Sequence, residues 1–370
     1  MSMKKRVVVA MSGGVDSSVA AALLVEQGYE VIGMTMCFNL SESKGKRPAC
    51  CGLEGIEDAR RVAQALGIKH YVVNMQKSLA DYVIKDFCDE YAHGRTPNPC
   101  VRCNQYLKFD VLLKKALALD ADFIATGHYA RLKIDRRLQT VDRRPKTNEQ
   151  TYLLQKAKDK YKDQSYFLYR INKKYLKNIL FPLGNYTKTE VRALARKFKL
   201  PVAEKPGSQE ICFLPDNDYR AFLKNYFTIK TKPGRVVDLK GNVLGEHKGV
   251  AYYTIGQREG LGIACGYPVY VVKIDLKKNQ LVVAQKEDAY NCEFLVKKLN
   301  FLGAPIKKRV AARVKIRYNH KESPAEIAPH KNRLKIKFKK AQFAITPGQS
   351  AVFYQNDTVF GGGIIEKVLD

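Results

Sequence analysis

The chain opens on RVVVAM (6–11), a continuous apolar run of strand length, and polar and apolar residues then alternate in blocks for about two hundred residues. Ser17 to Gln27 carries helical periodicity with Ala20, Leu23 and Leu24 on one side, and EVIGMTM (30–36) reads as a second strand. Ile56 to Leu66 predicts an amphipathic helix, HYVVN (70–74) a strand, Leu79 to Ala92 a helix, and DFIATGHY (122–129) a strand running into a loop. Strands alternating with helices predict a parallel sheet covered on both faces. SESKGKRPACCGLEG (41–55) has no period and reads as a surface loop, and residues 130–165 are basic and weakly patterned. TKTEVRALARKFKL (187–200) is again helical and is closed by Pro201.

From about Lys205 the pattern changes. Residues 232–262 show short strands punctuated by glycine, and GYPVYVVKIDLKKNQLVVAQ (266–285) reads as a hairpin. VAARVKIRYN, NRLKIKFK and SAVFYQNDTVFGGGIIE alternate apolar and polar residues between turns, which predicts a small antiparallel barrel or sandwich. The expected division is residues 1–205, a central part over 206–287 and a barrel over 288–370. No internal repeat interrupts it.

Composition narrows the function. The 370 residues are 45% hydrophobic and 27% charged, as for a globular chain with a substantial core. Basic side chains number 65 against 36 acidic, a net charge of +29, which points to a polyanionic partner, above all nucleic acid. The basic, then apolar N-terminus is too short for a signal peptide and stops at Gly13–Gly14, and no segment is long enough to span a bilayer. Nine cysteines without a disulfide-framework pattern fit a reducing cytoplasm and no membrane.

The first strand leads into SGGVDSS (12–18). Two glycines let backbone N–H groups approach an anion, Ser12, Ser17 and Ser18 offer hydroxyls, and the helix N-terminus adds positive potential. The P-loop lysine pattern is missing. Asp16 would repel a phosphate unless it holds Mg²⁺ or a donor, so a metal-bound pyrophosphate is the expected occupant. SGGVDS resembles the signature of the PP-loop ATP pyrophosphatases, which split ATP into AMP and pyrophosphate by adenylating a substrate oxygen.

TPNPCVRCN (96–104) sets two cysteines three apart, a spacing open to a metal half-site, a redox pair, a cluster ligand set or a nucleophile. Asn98 reads as an N-cap and Pro99 as the first helical residue, so Cys103 falls in or just past the first turn beside Arg102, where dipole and cation favour a thiolate. Cys212 sits in KPGSQEICFLPD, a glycine-bearing stretch at the change of character.

SGGVDSS, TPNPCVRCN, ATGHYAR, KDQSYFLY, GSQEICF, GEHKGVAYYTIGQREGLGI and TPGQSAVFY follow one another along the chain. Together they closely resemble the tRNA-specific 2-thiouridylases over essentially the whole length. The resemblance implies a PP-loop (Rossmann-like) α/β catalytic domain, a small central domain and a C-terminal antiparallel β-barrel. It implies replacement of the C2 oxygen of wobble uridine 34 by sulfur, with ATP and Mg²⁺, tRNA as substrate, and a persulfide or sulfur-carrier protein as donor. The implied ATP site is Ala10, Met11, Ser12, Gly13, Gly14, Val15, Asp16 and Ser17, with Met36 and Gly127. The attacking cysteine falls on Cys103 and the persulfide on Cys212, closing to a Cys103–Cys212 disulfide. Contacts to tRNA map to Asn98, Pro99, Cys100, His128, Lys162, Asp163, Gln164, Arg317, Tyr318 and Gln349. Many members carry aspartate where Cys100 stands here. An alternative is therefore an iron–sulfur cluster held by Cys100, Cys103 and Cys212. Cys50 and Cys51 are further candidates for a zinc or relay site.

Overall fold

The computed structural model describes residues 4–38, 53–135, 151–207, 211–214, 218–226 and 232–369. Its contacts divide the chain into two units. Unit 1 holds Met1–Val83, Cys100–Asp218 and Asp357–Phe360; unit 2 holds Ile84–Pro99, Tyr219–Asn356 and Gly361–Asp370. The central residues and the barrel thus share unit 2, which also takes in the segment ahead of the paired cysteines.

Unit 1 is built on a wholly parallel sheet. β1 (Arg6–Ala10) pairs with β2 (Glu30–Cys37) on one side and with β4 (Phe123–Thr126) on the other; β3 (Lys69–Asn74) flanks β2, and the short Ile179–Leu180 strand flanks β4. Val7, Val8 and Val9 are fully buried, which is why β1 reads as an unbroken apolar run. Helix α1 (Val15–Glu26) is buried over Val15 and Val19–Leu24 rather than along one stripe. It shares a core with β1 and with Val191 and Ala195 of the Lys188–Lys197 helix, so its alanines are contact residues where the sequence showed only Ala20, Leu23 and Leu24.

Other elements differ from expectation for local reasons. The helix expected from Leu79 begins at Gln76, because Asn74 Oδ1 accepts the Gln76 N–H at 3.0 Å, and its turns widen over Ala80–Ile84 before Lys85–Ala92. Leu53–Gly55, expected as loop, opens helix α2 (Leu53–Ala65); Cys50 and Cys51 lie outside the described residues. Within the weakly patterned 130–165 stretch, Ala130–Ile134 and Tyr152–Lys156 form an antiparallel pair, extended by Thr358 and Val359. That partner lies some two hundred residues away, beyond the reach of local pattern.

In unit 2, Tyr270–Asp275 and Gln280–Ala284 form the expected hairpin, and the latter runs parallel to Gly234–Val237. Strands Tyr290–Phe301, Arg333–Phe343, Ser323–His330, Val310–Lys315, Ser350–Gln355 and Thr358–Leu369 follow in sheet order. Pairing of the last with the first closes the sheet into an antiparallel barrel, removing its edges. Among the described residues no helix is long and apolar enough to cross a membrane.

A buried ion pair braces unit 1 behind the first loop. The Asp58 side chain is 3% exposed and receives Lys205 Nζ and Arg61 Nη2; Lys205 also reaches Glu54 Oε1 at 3.0 Å. Burial pushes the Asp58 carboxyl up, but the two cations outweigh it and hold it below its ordinary value. Replacing Lys205 by Met should therefore lower unfolding stability by about 2 kcal/mol in urea titrations at neutral pH. A carboxyl depressed on folding stabilises above its unfolded pKa and loses that contribution as pH falls. The gap between Lys205→Met and wild type should narrow below about pH 4.

Candidate active site

The carboxyl end of β1 lies where the sheet order reverses: Ala10 is in register with Met34 of β2 and with Thr126 of β4. Ligands of open α/β sheets bind at such a switch point. Met11 N–H donates to Met34 O at 2.8 Å, and the chain then turns through Ser12–Gly14 into α1. Gly13 has φ +73°, and a Cβ there would fall 2.3 Å from Gly55 O; a Cβ on Gly127 would fall 2.6 Å from Ser17 N. The loop is therefore pressed from both sides by backbone. No side chain caps α1 at Gly14, which leaves the first-turn N–H groups to an anion. Ser17 Oγ accepts from Ser12 N–H at 3.2 Å and donates to Gly14 O at 3.1 Å, holding the curve. Met36 lies half-buried two residues beyond Met34 on β2. These residues fit a nucleotide's phosphates.

Asp16 has the neutralising partner its position demanded. Lys188 Nζ lies 2.6 Å from Asp16 Oδ1, and the Tyr129 hydroxyl donates to the same oxygen at 2.8 Å. Burial, then the Asp16 charge, push the Tyr129 phenol upward, so it stays a donor. Lys188 stands at the first position of its helix, whose start is fixed by a Thr187–Glu190 capping box. Neither Lys188 nor Tyr129 stood out in the sequence; T-x-x-E was the available signal for the first.

The cysteine segment forms a turn of helix over Pro99–Arg102 and then widens to i→i+5 bonding over Cys103–Leu112, with a kink at Phe109. Such widened turns recur at functional sites. Cys103 is 9% exposed. Burial and then the nearby Cys212 thiol push Cys100 up to about 11, against the pull of Lys108. Cys212 occupies a turn closed by Leu214 N–H to Ile211 O at 3.0 Å. Arg102 engages Tyr106, lying over its ring at 5.5 Å. Burial holds the His128 imidazole well below its ordinary value, helped by Lys108, so it is neutral at pH 7; its Nδ1 sits 2.7 Å from Thr126 Oγ1. Lys108 thus influences both Cys100 and His128, and the structure gathers the three.

The remaining expected contacts separate into distinct roles. Asp163 is buried; it accepts from Ala157 N at 3.0 Å and Ser165 N at 3.2 Å, and Ser165 Oγ donates to it at 2.8 Å. Gln164 bonds Tyr129 in both directions, N–H to Tyr129 O at 2.8 Å and Oε1 from Tyr129 N–H at 2.9 Å. The KDQ run therefore fixes the tyrosine that faces Asp16, with Lys162 half-buried on the turn before it. In unit 2, Arg317 Nη2 donates to Ile255 O at 2.8 Å and Ala344 O at 3.3 Å and to Thr346 Oγ1, and Lys315 lies over the Tyr318 ring at 5.4 Å. Gln349 Nε2 donates to Thr96 O and Pro97 O, just ahead of Asn98 and Pro99.

Three family profiles cover the chain: "tRNA methyl transferase HUP domain" over residues 5–216, "tRNA methyl transferase PRC-barrel domain" over 220–285 and "Aminomethyltransferase beta-barrel domain" over 291–365. The tRNA-specific 2-thiouridylase MnmA 1 of Caldanaerobacter subterraneus subsp. tengcongensis is 50% identical over 372 residues, 99% of each chain. The chain belongs to the tRNA-specific 2-thiouridylase (MnmA) family. Its counterpart from Halothermothrix orenii is 50% identical over 98% of this chain and 99% of its own, and that of Carboxydothermus hydrogenoformans 49% over 99% of both.

Among the described residues no group of three or more histidine, cysteine or carboxylate side chains is placed to hold a metal ion. Asp16 Oδ1 is already engaged by Lys188 and Tyr129, so no protein-held magnesium is assigned either. The Cys100 thiol makes a direct check possible. At pH 8 it should alkylate about a hundredfold more slowly than an exposed cysteine, and Cys212→Ser should speed it, as read by mass spectrometry of the labelled peptide.

Proposed function

We propose that the chain thiolates C2 of the wobble uridine of tRNA, using ATP to activate the oxygen and a persulfide on Cys212 to supply the sulfur. The single observation that carries this is the union, in unit 1, of a helix-terminal phosphate cradle with the Cys100–Cys103 helix and Cys212. The family profiles speak of methyl transfer, whereas the relatives are called 2-thiouridylases. Methyl transfer needs neither an anion-binding helix terminus nor neighbouring thiols, and unit 1 carries both.

A uracil C2 carbonyl is a poor electrophile with a poor leaving group. Attack of its oxygen on the α-phosphate of ATP forms an O2-adenylylated base and releases pyrophosphate. The first-turn amides of α1 receive the phosphates, and magnesium entering with them would offset their charge. Lys188 neutralises Asp16, so the loop presents no repulsive carboxylate to the incoming anion. Sulfide, or the terminal sulfur of the Cys212 persulfide, then adds to C2, and AMP leaves with the former carbonyl oxygen. When the Cys103 thiolate attacks the Cys212 sulfur, hydrosulfide is released and a Cys103–Cys212 disulfide remains, which a thiol reductant must reduce by two electrons. The neutral His128 ring suits hydrogen bonding or stacking on an extruded base rather than phosphate pairing.

A second reading has its own observation: the charge of Cys212 is felt at Cys100, and a Cys100–Cys212 disulfide would be the competing linkage. Single-turnover reactions with persulfide-loaded protein, quenched and mapped by mass spectrometry, distinguish the two linkages.

Cys103→Ser and Cys212→Ser should each lower sulfur incorporation into tRNA by about a hundredfold or more, with only Cys212→Ser losing the trapped persulfide. Normal thiolation by both variants would sink the assignment. An anaerobic, iron-free preparation should remain active with a persulfide donor. With a net charge of +29, tRNA affinity should fall steeply and linearly in log Kd against log salt.

A further inference from the structure

Gln349, mapped above to a tRNA contact, has both of its amide hydrogens engaged within the chain. A glutamine amide nitrogen has two hydrogens, and Gln349 Nε2 directs both inward, to Thr96 O and Pro97 O at 3.0 Å each. The same turn takes the remaining backbone donor, since Thr96 N–H donates to Pro347 O at 2.9 Å. Pro97 has no N–H. Every backbone hydrogen-bonding group of residues 96–97 is therefore held by the Pro347–Gly348–Gln349 turn.

Steric fit closes the grip. Gly348 has φ +94°, and a Cβ there would fall 2.8–2.9 Å from Thr96 N, O and C. The turn is tied into the barrel by Gly348 N–H to Ile365 O at 2.9 Å and Ile365 N–H to Gln349 O at 2.8 Å. Arg317 fastens its approach through Ala344 and Thr346. Thr96 Oγ1 also bonds Thr254 Oγ1 at 3.1 Å, and a bidentate Arg95–Glu90 pair, at 2.5 and 3.0 Å, fixes the residue before. All of these groups belong to unit 2.

We propose that Gln349 is a positioning residue: with Gly348 it clamps the backbone of residues 96–97 and so sets the path along which Asn98 and Pro99 enter the helix of Cys100 and Cys103. This rests on the thiolation reading above. Gln349 acts on the chemistry through the chain it holds.

The test is Gln349→Met, which keeps the length and removes both donors, with Thr254→Val as a milder second variant loosening the same segment. Hydrogen exchange at the Thr96 amide should speed by about tenfold in Gln349→Met. The kcat for thiolation should fall by tenfold or more, while the KM for ATP and the Kd for tRNA stay within twofold and the salt slope of tRNA binding is unchanged. Thr254→Val should move exchange and kcat the same way by less. A loss of tRNA affinity with kcat retained would overturn the proposal in favour of direct contact; unchanged exchange and unchanged kcat would overturn it as well. Should the wild type thiolate no tRNA, the functional reading fails, and the exchange arm still decides whether the clamp exists.

Discussion

The neutralisation of Asp16 is the constraint on which unit 1 turns. A carboxylate at the mouth of an anion-binding helix terminus is unfavourable by itself, and Lys188 and Tyr129 convert it into a fixed, electrically balanced strut. Each partner draws in a further element. Lys188 is delivered by a capped helix whose Val191 and Ala195 pack into the core of α1. Tyr129 is locked by Gln164, and Gln164 follows an Asp163 whose oxygens tie down Ala157 and Ser165. One charge balance thus organises segments from four places in the sequence around a single loop.

The cysteine region shows a different economy. Burial and the neighbouring Cys212 keep Cys100 a neutral thiol, and burial keeps His128 a neutral base, with Lys108 acting on both. Neutral side chains beside a lysine suit a reaction that brings in a polyanion and expels two more, pyrophosphate and AMP. A thiol held protonated at position 100 adds no negative charge beside Cys212.

Much of this was legible in the sequence, because the signals were local. The apolar run of β1, the Gly13–Gly14 turn, the proline-led cysteine helix and the alternation of the barrel strands all depend on residues within a few positions. Partners fixed by tertiary packing were not legible. Lys188 and Lys108 look like any of the other lysines until the fold brings them to Asp16 and His128. Small residues also hid the burial of α1, since alanines carry little hydrophobic signal yet pack closely. The pairing of Thr358 with Gln155 could not be read locally at all. Asp163 and Gln349 drew notice for a plausible reason, and the structure ties the Asp163 carboxylate and the Gln349 amide nitrogen to the chain itself.

Neither unit is a continuous length of chain: Ile84–Pro99 is lent to the second, and Asp357–Phe360 returns to the first. On the ribosome, the sheet edge made by Tyr152–Lys156 therefore waits for a strand some two hundred residues downstream before it is covered. A truncated product would expose that edge to proteolysis and aggregation. Interleaving the chain in this way makes the first unit's sheet complete only once the segment around Thr358 has joined it.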